Sequence, residues 1–290
     1  MAEISAATVK DLRDRTGAGM MDCKKALADA SGDLDQAATL LRERGLAKAA
    51  KREGRATAEG TVALAVAGAS GALVEIGCET DFVARTDEFQ RIARAVAQVA
   101  AADPGAGDVD GLAAAAMEGE SVAARLAAAA GKLGENVVLK RVARLEAPGG
   151  LVGGYVHAGG KLGVLVGLRT AARGERAEAL AKDVAMHVAA ADPSPLAVDR
   201  DGVPAELVQG ERELFAKQAA QSGKPEKVIE KIVEGRIQKF YSEVALLEQP
   251  FVKDPDQTIQ ELLDRTGKAL GADVAVTGFV RFRLGAEGHS

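Results

Sequence analysis

The stretch TVALAVAGASGALVEIG, residues 61–77, predicts a β-hairpin. Apolar residues run through both of its halves, and the small residues Gly68-Ala69-Ser70-Gly71 separate them as turn residues do. A second stretch of the same kind, LVGGYVHAGGKLGVLVGL, occupies residues 151–168. The fold prediction depends on this recurrence.

Each predicted hairpin is followed by an apolar helix and, later in the chain, by a closing strand. The helices that contain Phe89 and Leu180 both end in Ala-Ala-Asp-Pro, at residues 101–104 and 190–193. The closing segments are also alike: GKLGENVVLKRVARL (131–145) and GKALGADVAVTGFVRFRL (267–284). The sequence therefore predicts a duplicated β-β-α-β unit with two small antiparallel sheets. Chance similarity between alanine-rich helices is the alternative.

Residues 1–45 read as three short helices. Val9 and Leu12 mark the first helix, and Cys23 and Leu27 have the spacing of an apolar face in the second. Asp33 is expected to cap the third helix, because it precedes an apolar stripe at helical spacing.

A basic segment follows between residues 42 and 55. It contains six basic side chains (Arg42, Arg44, Lys48, Lys51, Arg52 and Arg55) and two acidic ones (Glu43 and Glu53). Such a segment suits contact with RNA or the ribosome surface, but no aromatic residue is present for base stacking. A solvated helical linker is the favoured interpretation.

The second half contains an insertion, residues 204–248, that the first half lacks. Gly223 and Pro225 indicate a turn inside it. The helix after this turn carries an apolar stripe at helical spacing, formed by Ile229, Val233, Ile237, Phe240 and Val244. This pattern predicts an antiparallel coiled-coil hairpin that projects from the second sheet unit.

The predicted fold class is therefore α+β. A three-helix domain comes first, then a core of two related β-β-α-β subdomains, with the hairpin inserted into the second. The helical domain and its linker are expected to occupy residues 1–55, and the first subdomain residues 56–146. The second subdomain is expected in two parts, 147–203 and 249–290, with the insertion at 204–248 between them.

Composition excludes several classes of function. The 290 residues include 37 basic and 42 acidic side chains, a net charge of −5, so the overall basic footprint of a specific nucleic-acid binder is missing. Two cysteines are too few for a disulfide framework or a four-ligand zinc site. The three histidines (His157, His187 and His289) form no His-x-x-x-His pair, and no Cys-x-x-Cys occurs. Neither a catalytic constellation nor a metal or cofactor site is expected.

Nucleotide and membrane binding by the chain itself are not expected either. Gly160-Lys161 comes nearest to a phosphate-binding loop, but Tyr155 replaces its first glycine and Leu162 replaces the Ser or Thr that would hold magnesium. Apolar runs are too short for a membrane span, and the N-terminus does not resemble a signal peptide. A cytoplasmic location is predicted.

The segment Thr80-Asp81-Phe82-Val83 places an aromatic ring beside a carboxylate at a strand-to-helix junction. Such a pair suits insertion into a groove of a partner. In the alternative, Phe82 packs under its own helix and Asp81 caps that helix. The corresponding stretch of the second half reads Thr170-Ala171, so the fold does not require Asp-Phe at this position.

Met20 and Met21 begin the second helix, with Lys24 one turn further on. Adjacent helical residues point about 100° apart. One methionine is therefore expected to face the core and the other to be exposed as an adaptable contact. Filling of the core by both methionines is the alternative.

LRDRTGAGMMDCKKAL (12–27) and ETDFVARTDEF (79–89) resemble the two signature stretches of the bacterial elongation factor Ts family, the guanine-nucleotide exchange factors of elongation factor Tu. The stretches YVHAGGKLGVLV, MHVAA, QSGKPEKVIEKIVEGR and EQPFV follow in the order that the family has them. The resemblance implies a ubiquitin-associated-like helical domain, a core of two related subdomains and an inserted coiled coil.

The resemblance also implies roles for individual residues. Asp81 and Phe82 match the pair that intrudes into the GTPase domain of elongation factor Tu, and Thr80 to Val83 match the segment associated with magnesium dislocation. Met20, Met21 and Lys24 match a contact to the same domain. His157 and Val252 match contacts that the second subdomain makes with the partner, including a further domain of it.

The residues and the resemblance leave two functions open. The first is an exchange factor that performs no covalent chemistry and binds elongation factor Tu. The alternative is a non-exchanging helical adaptor or chaperone-like interaction protein. The chain stops soon after Phe282, so any partner contact through a C-terminal helical module is in doubt. A one-to-one complex, a homodimer and a two-to-two assembly through the hairpin all remain open.

Overall fold

The computed structural model describes residues 4–222 and 224–286, so that Gly223 of the predicted turn and His289 lie outside it, as do the side chains of Leu46 and Lys48. The chain divides into two compact units. Unit 1 comprises Met1–Ala63, Val74–Val142 and Gly159–Lys161, and unit 2 comprises Leu64–Leu73, Ala143–Ala158 and Leu162–Ser290.

The three predicted N-terminal helices are present in unit 1. They are α1 (Ala6–Thr16), α2 (Met20–Asp29) and α3 (Leu34–Ala50). The Asp33 carboxylate caps α3 by accepting hydrogen bonds from the backbone N–H groups of Asp35 and Gln36, as expected. Their shared core includes the buried side chains Val9, Leu12, Cys23, Ala26, Leu27, Ala30 and Ala37.

The rest of unit 1 is built around a sheet whose strand order is β1-β2-β5. Its elements are β1 (Glu59–Ala67), β2 (Ser70–Cys78), α4 (Asp81–Ala84), α5 (Asp87–Ala102), α6 (Val109–Ala114), β3 (Ala116–Met117), β4 (Glu120–Ser121), α7 (Val122–Leu133) and β5 (Val138–Glu146). The α5 helix is strongly amphipathic and buries Phe89, Ala93 and Val96. The tips of β1, β2 and β5 belong to unit 2.

Unit 2 contains a second three-stranded sheet, antiparallel throughout, in the order β10-β7-β6. Its elements are β6 (Leu151–Val156), β7 (Leu162–Thr170), α8 (Glu175–Ala190), α9 (Ala205–Ala220), α10 (Glu226–Val244), a 3-10 turn (Leu246–Glu248), β8 (Pro250–Phe251), β9 (Asp254–Thr258), α11 (Ile259–Leu270) and β10 (Val274–Arg283). Helix α8 packs on β6 and β7, where Leu180 and Val184 meet Val164 and Val166 in one buried cluster.

The two sheets have the same strand order, since the second strand of each hairpin is central and the closing strand forms the far edge. Each closing strand is preceded by a helix, α7 or α11, that ends in a left-handed glycine, Gly134 or Gly271. The mixture of helices with small antiparallel sheets agrees with the predicted α+β class. Helix α11 was not predicted, although Thr258 and Glu261 form a complete capping box at its start.

Helices α9 and α10 in the predicted insertion pack against each other. Ala219, Val233 and Ile237 are buried between them, and Phe215 lies beside this cluster. Leu207 and Leu214 on α9 are exposed.

The basic segment forms the end of α3 and the residues after it, and Arg42, Lys51 and Arg55 are exposed, as expected of a solvated helical linker. Helix α3 continues to Ala50, and its Arg42 and Arg44 form ion pairs with Glu120 and Asp29. Arg55 pairs with Glu79 at 3.4 Å. Arg42 reaches Glu120 of β4 because α3 packs along α7, which follows β4, whereas Asp29 lies at the end of α2.

Gly131 on α7 allows this helix to approach α3 closely at Gly45. A Cβ atom placed on Gly131 of α7 would lie only 2.7 Å from the carbonyl oxygen of Gly45 on α3. A Cβ atom placed on Gly45 would lie 3.8 Å from the Cα of Gly131, which is an ordinary contact. The crossing therefore requires glycine on one helix only.

We expect Gly131→Ala to lower the free energy of unfolding by about 1–3 kcal/mol, the usual cost of overpacking, because α3 must move away from α7. Gly45→Ala is the matched control, and it should keep or raise stability because alanine favours helix by about 1 kcal/mol. Urea unfolding of both variants measures the difference. Equal stability of the two variants would contradict the close crossing.

Candidate functional site

The segment that follows β2 forms the single turn α4. Thr80 is its N-cap, and its hydroxyl oxygen accepts a hydrogen bond from the Val83 N–H at 3.3 Å. Ala84 is buried beneath the turn, whereas the Asp81 carboxylate lies near the surface and pairs with Arg85 at 2.7 Å. The turn thus shows one small side chain to the interior and its larger ones to the surface.

Phe82 is 81% exposed, the most exposed large apolar side chain among the described residues. The interpretation in which it packs under its own helix is therefore wrong, and Thr80 rather than Asp81 is the cap. An aromatic ring in this position contributes nothing to the core. Its exposure favours contact with a partner, since large apolar side chains are otherwise costly to leave in water.

The corresponding junction of unit 2 has no such ring. Strand β7 ends at Thr170, and α8 begins after Gly174, with small and basic residues between them. The exposed aromatic turn is thus a feature that unit 1 has in addition to the common sheet plan.

Met20 and Met21 are both exposed, at 58% and 75%, and Lys24 is exposed as well. The expectation that one methionine faces the core is wrong, because Cys23, Ala26 and Leu27 alone form the buried face of α2. Two adjacent exposed thioethers form an adaptable apolar surface at the start of this helix.

A groove of 690 Å³ lies in unit 1 at the starts of α2 and α5. Gly19, which precedes Met20, lines it together with Asp22. Glu88 and Arg91, in the first turns of the helix that follows Phe82, line it as well. The starts of α2 and α5 therefore lie at the same groove, whereas Met20, Met21 and Phe82 are not among the residues that line it.

Several polar contacts that the sequence did not predict hold the segment before Phe82. The Cys78 thiol donates to the carbonyl oxygen of Thr80 at 3.2 Å, and burial, with the nearby Glu135 charge, raises the pKa of this thiol to about 12. The Glu79 carboxylate accepts a hydrogen bond from the Asn136 N–H at 2.7 Å, and this bond lowers the pKa of Glu79. The two residues before Thr80 are therefore both held by hydrogen bonds of their side chains.

The predicted site residues of unit 2 lie on separate elements. His157 follows β6 and is exposed, and its Nδ1 lies 2.9 Å from the hydroxyl of Tyr155. Val252 lies in the turn between β8 and β9 and is 41% exposed. Its backbone N–H donates to Nδ1 of His187 at 3.3 Å.

His187 is buried on α8 and supports the turn that carries Val252. The Gln249 amide nitrogen donates to the carbonyl oxygens of Pro193 and Glu243 at 3.0 and 2.7 Å, so its oxygen faces Nε2 of His187, 2.9 Å away. Nε2 therefore carries the proton and donates it to Gln249, while Nδ1 accepts from Val252. Burial lowers the pKa of His187.

Residues 4–222 and 224–286 contain no group of three or more His, Cys, Asp or Glu side chains that could hold a metal ion. Over those ranges no helix has the length and apolarity to cross a membrane.

Comparison with known proteins identifies the family. The sequence model of elongation factor Ts matches residues 79–286. The chain belongs to the elongation factor Ts family. Elongation factor Ts of Sphingopyxis alaskensis is 50% identical over 98% of this chain and 94% of its own length. The proteins of the same name from Maricaulis maris and Prosthecochloris aestuarii are 48% and 47% identical, over 98% and 99% of this chain and 93% and 100% of their own lengths. The elongation factor Ts family acts in translation elongation as nucleotide exchange factors of elongation factor Tu.

The buried His187 predicts a pH dependence of stability. Its pKa is lower in the folded chain than the value of 6.5 for a free side chain, so the unfolded state binds the proton more tightly. The contribution of this pKa difference to the free energy of unfolding is complete above pH 6.5, and it is lost as the pH falls towards the pKa of His187 in the folded chain. We expect the wild type to lose more stability between pH 7.5 and 5 than His187→Gln does. Thermal melts across this range compare the two, and parallel pH profiles would contradict the assignment.

Proposed function

We propose that this chain promotes GDP release from elongation factor Tu by inserting the Asp81-Phe82 turn into its GTPase domain. The observation that carries the proposal is the 81% exposure of Phe82 in a chain of the elongation factor Ts family. No covalent step is needed. A bound nucleoside diphosphate is held by backbone donors around its phosphates and by magnesium. A factor that binds more tightly when these groups are displaced weakens the nucleotide by the same coupling free energy.

Thr80 to Val83 are assigned to magnesium dislocation, with the Phe82 ring as the wedge and Asp81 as a polar companion. The ion pair between Asp81 and Arg85 supports this division of roles. It leaves the carboxylate near the surface, while the ring needs no rearrangement to reach a partner.

Met20, Met21 and Lys24 are assigned to a second contact with the same GTPase domain. Their exposure supports this assignment.

His157 and Val252 are assigned to partner contacts of the second subdomain, which reach a further domain of elongation factor Tu. The exposure of both residues supports this. The same proposal includes the finer architecture: a ubiquitin-associated-like domain at α1–α3, two related subdomains around the two sheets, and a coiled coil at α9–α10. The partner implies a cytoplasmic location.

Phe82→Ala should slow factor-stimulated GDP release by tenfold or more while shifting the melting temperature little. Truncation of an aromatic ring that fills a partner pocket commonly costs about 2–4 kcal/mol, and each 1.4 kcal/mol is about tenfold. Stopped-flow release of a fluorescent GDP from elongation factor Tu measures the rate. Asp81→Ala should have the smaller effect, because its carboxylate is already paired near the surface.

Leu196→Ala is the matched control, since Leu196 is also a large exposed apolar side chain, at 51%, and lies outside the proposed contacts. Elongation factor Tu should release GDP at the wild-type rate in the presence of this variant. If the Phe82→Ala variant stimulated GDP release at the wild-type rate, the proposed role of Phe82 as a wedge would be wrong. If the wild-type chain stimulated no GDP release, the non-exchanging adaptor would be favoured.

A further inference from the structure

The turn between α7 and β5 faces the segment that carries Phe82. Its Glu135 carboxylate accepts three hydrogen bonds from that segment. One oxygen accepts from the backbone N–H groups of Glu79 and Thr80, both at 3.0 Å, and the other accepts from the Thr80 hydroxyl at 2.5 Å. Hydrogen bonds to an ionised acceptor are about twice as strong as those between neutral groups.

Every polar atom of Thr80 is engaged as a result. Its N–H and hydroxyl donate to Glu135, and its carbonyl oxygen accepts from the Cys78 thiol and from the Ala84 N–H. Its hydroxyl oxygen also accepts from the Val83 N–H. A residue held at all of these atoms has its backbone fixed, and Phe82 follows two positions later.

The hold is reciprocal. The Glu79 carboxylate accepts from the N–H of Asn136, and the Asn136 side chain donates to the carbonyl oxygen of Arg55 at 3.0 Å. Asn136 is itself buried. The Glu135 turn is therefore anchored to unit 1 at several points, so its carboxylate is a rigid support for Thr80.

Unit 2 lacks both the ring and its support. There the helix before the closing strand also ends in a left-handed glycine, but the residue after Gly271 is Ala272, where Glu135 follows Gly134 in unit 1. The strand end that corresponds to Thr80-Asp81-Phe82 reads Thr170-Ala171-Ala172. The sheet plan needs no carboxylate at this place, and the two differences between the units occur together.

We propose that Glu135 is a positioning residue for nucleotide exchange, which holds Thr80 so that the Phe82 ring is presented in its binding orientation. This inference rests on the proposed wedge role of Phe82. A preorganised turn loses less conformational entropy when it binds, so removal of the support should weaken action at the GTPase domain more than it weakens the fold.

The test compares three substitutions of Glu135 in the full chain. Glu135→Ala should slow GDP release from elongation factor Tu at saturating factor by tenfold or more. Glu135→Gln keeps an oxygen that accepts from both backbone N–H groups, so it should stay within about threefold of the wild type. Glu135→Asp keeps the charge but has a shorter reach, so it should be slow. A charge effect without positioning would give the reverse order of Gln and Asp and would overturn the proposal.

A double-mutant cycle with Phe82→Ala decides whether Glu135 acts through the ring. In the Phe82→Ala background, Glu135→Ala should add less than a twofold change. Additive effects of the two substitutions on the rate of GDP release would overturn the proposal. A wild-type rate of release with Glu135→Ala, together with slow release with Phe82→Ala, would overturn it as well. A wild-type rate of GDP release with Phe82→Ala would instead contradict the proposed wedge role of Phe82. If Glu135→Ala does not fold, the order of the Gln and Asp variants decides.

Glu261→Ala is the matched control for stability. Glu261 also uses its carboxylate to accept a backbone N–H, that of Thr258 at 2.8 Å, but it does so at the start of α11 in unit 2. It should lower the melting temperature and leave GDP release unchanged. If Glu261→Ala slowed GDP release in proportion to the drop in its melting temperature, the role of Glu135 would be purely structural.

Discussion

An aromatic ring in solvent is not restrained by packing, so its position depends on the backbone that carries it. Phe82 is such a ring, and α4 is a single turn that supplies little rigidity of its own. The restraint comes from the buried end of β2 and the turn after α7, which meet through charge-assisted hydrogen bonds at Thr80. The common sheet plan thus serves in unit 1 as a frame for one exposed side chain.

Much of the fold follows from local patterns in the sequence. Both hairpins, the helices after them and the three N-terminal helices have clear periodicity, because each buries one face on its neighbours. Helix α11 was not predicted, although Thr258 and Glu261 form a capping box at its start. The paired arginines of the basic segment were beyond reach for a different reason. Arg42 meets Glu120 only because α3 packs along α7, and no local pattern encodes that packing.

The site divides in the same way. The sequence singled out Phe82 and the two methionines, but it left open whether they are buried, since residue type alone does not give exposure. The comparison of the two halves was the better guide, because Thr170-Ala171 shows what the fold does without. The contact between Thr80 and Glu135 joins residues 55 positions apart, so only the folded chain reveals it.

The two thiols of the chain have a practical consequence. Cys23 and Cys78 are both buried, and burial raises the pKa of Cys78 to about 12, so little reactive thiolate reaches solvent at neutral pH. A cysteine introduced at an exposed position, such as Leu214 on α9, is then the preferred target of a maleimide dye. Fluorescent or spin labels can be attached at chosen surface positions while both native cysteines are kept, which opens the chain to distance measurements on its complexes.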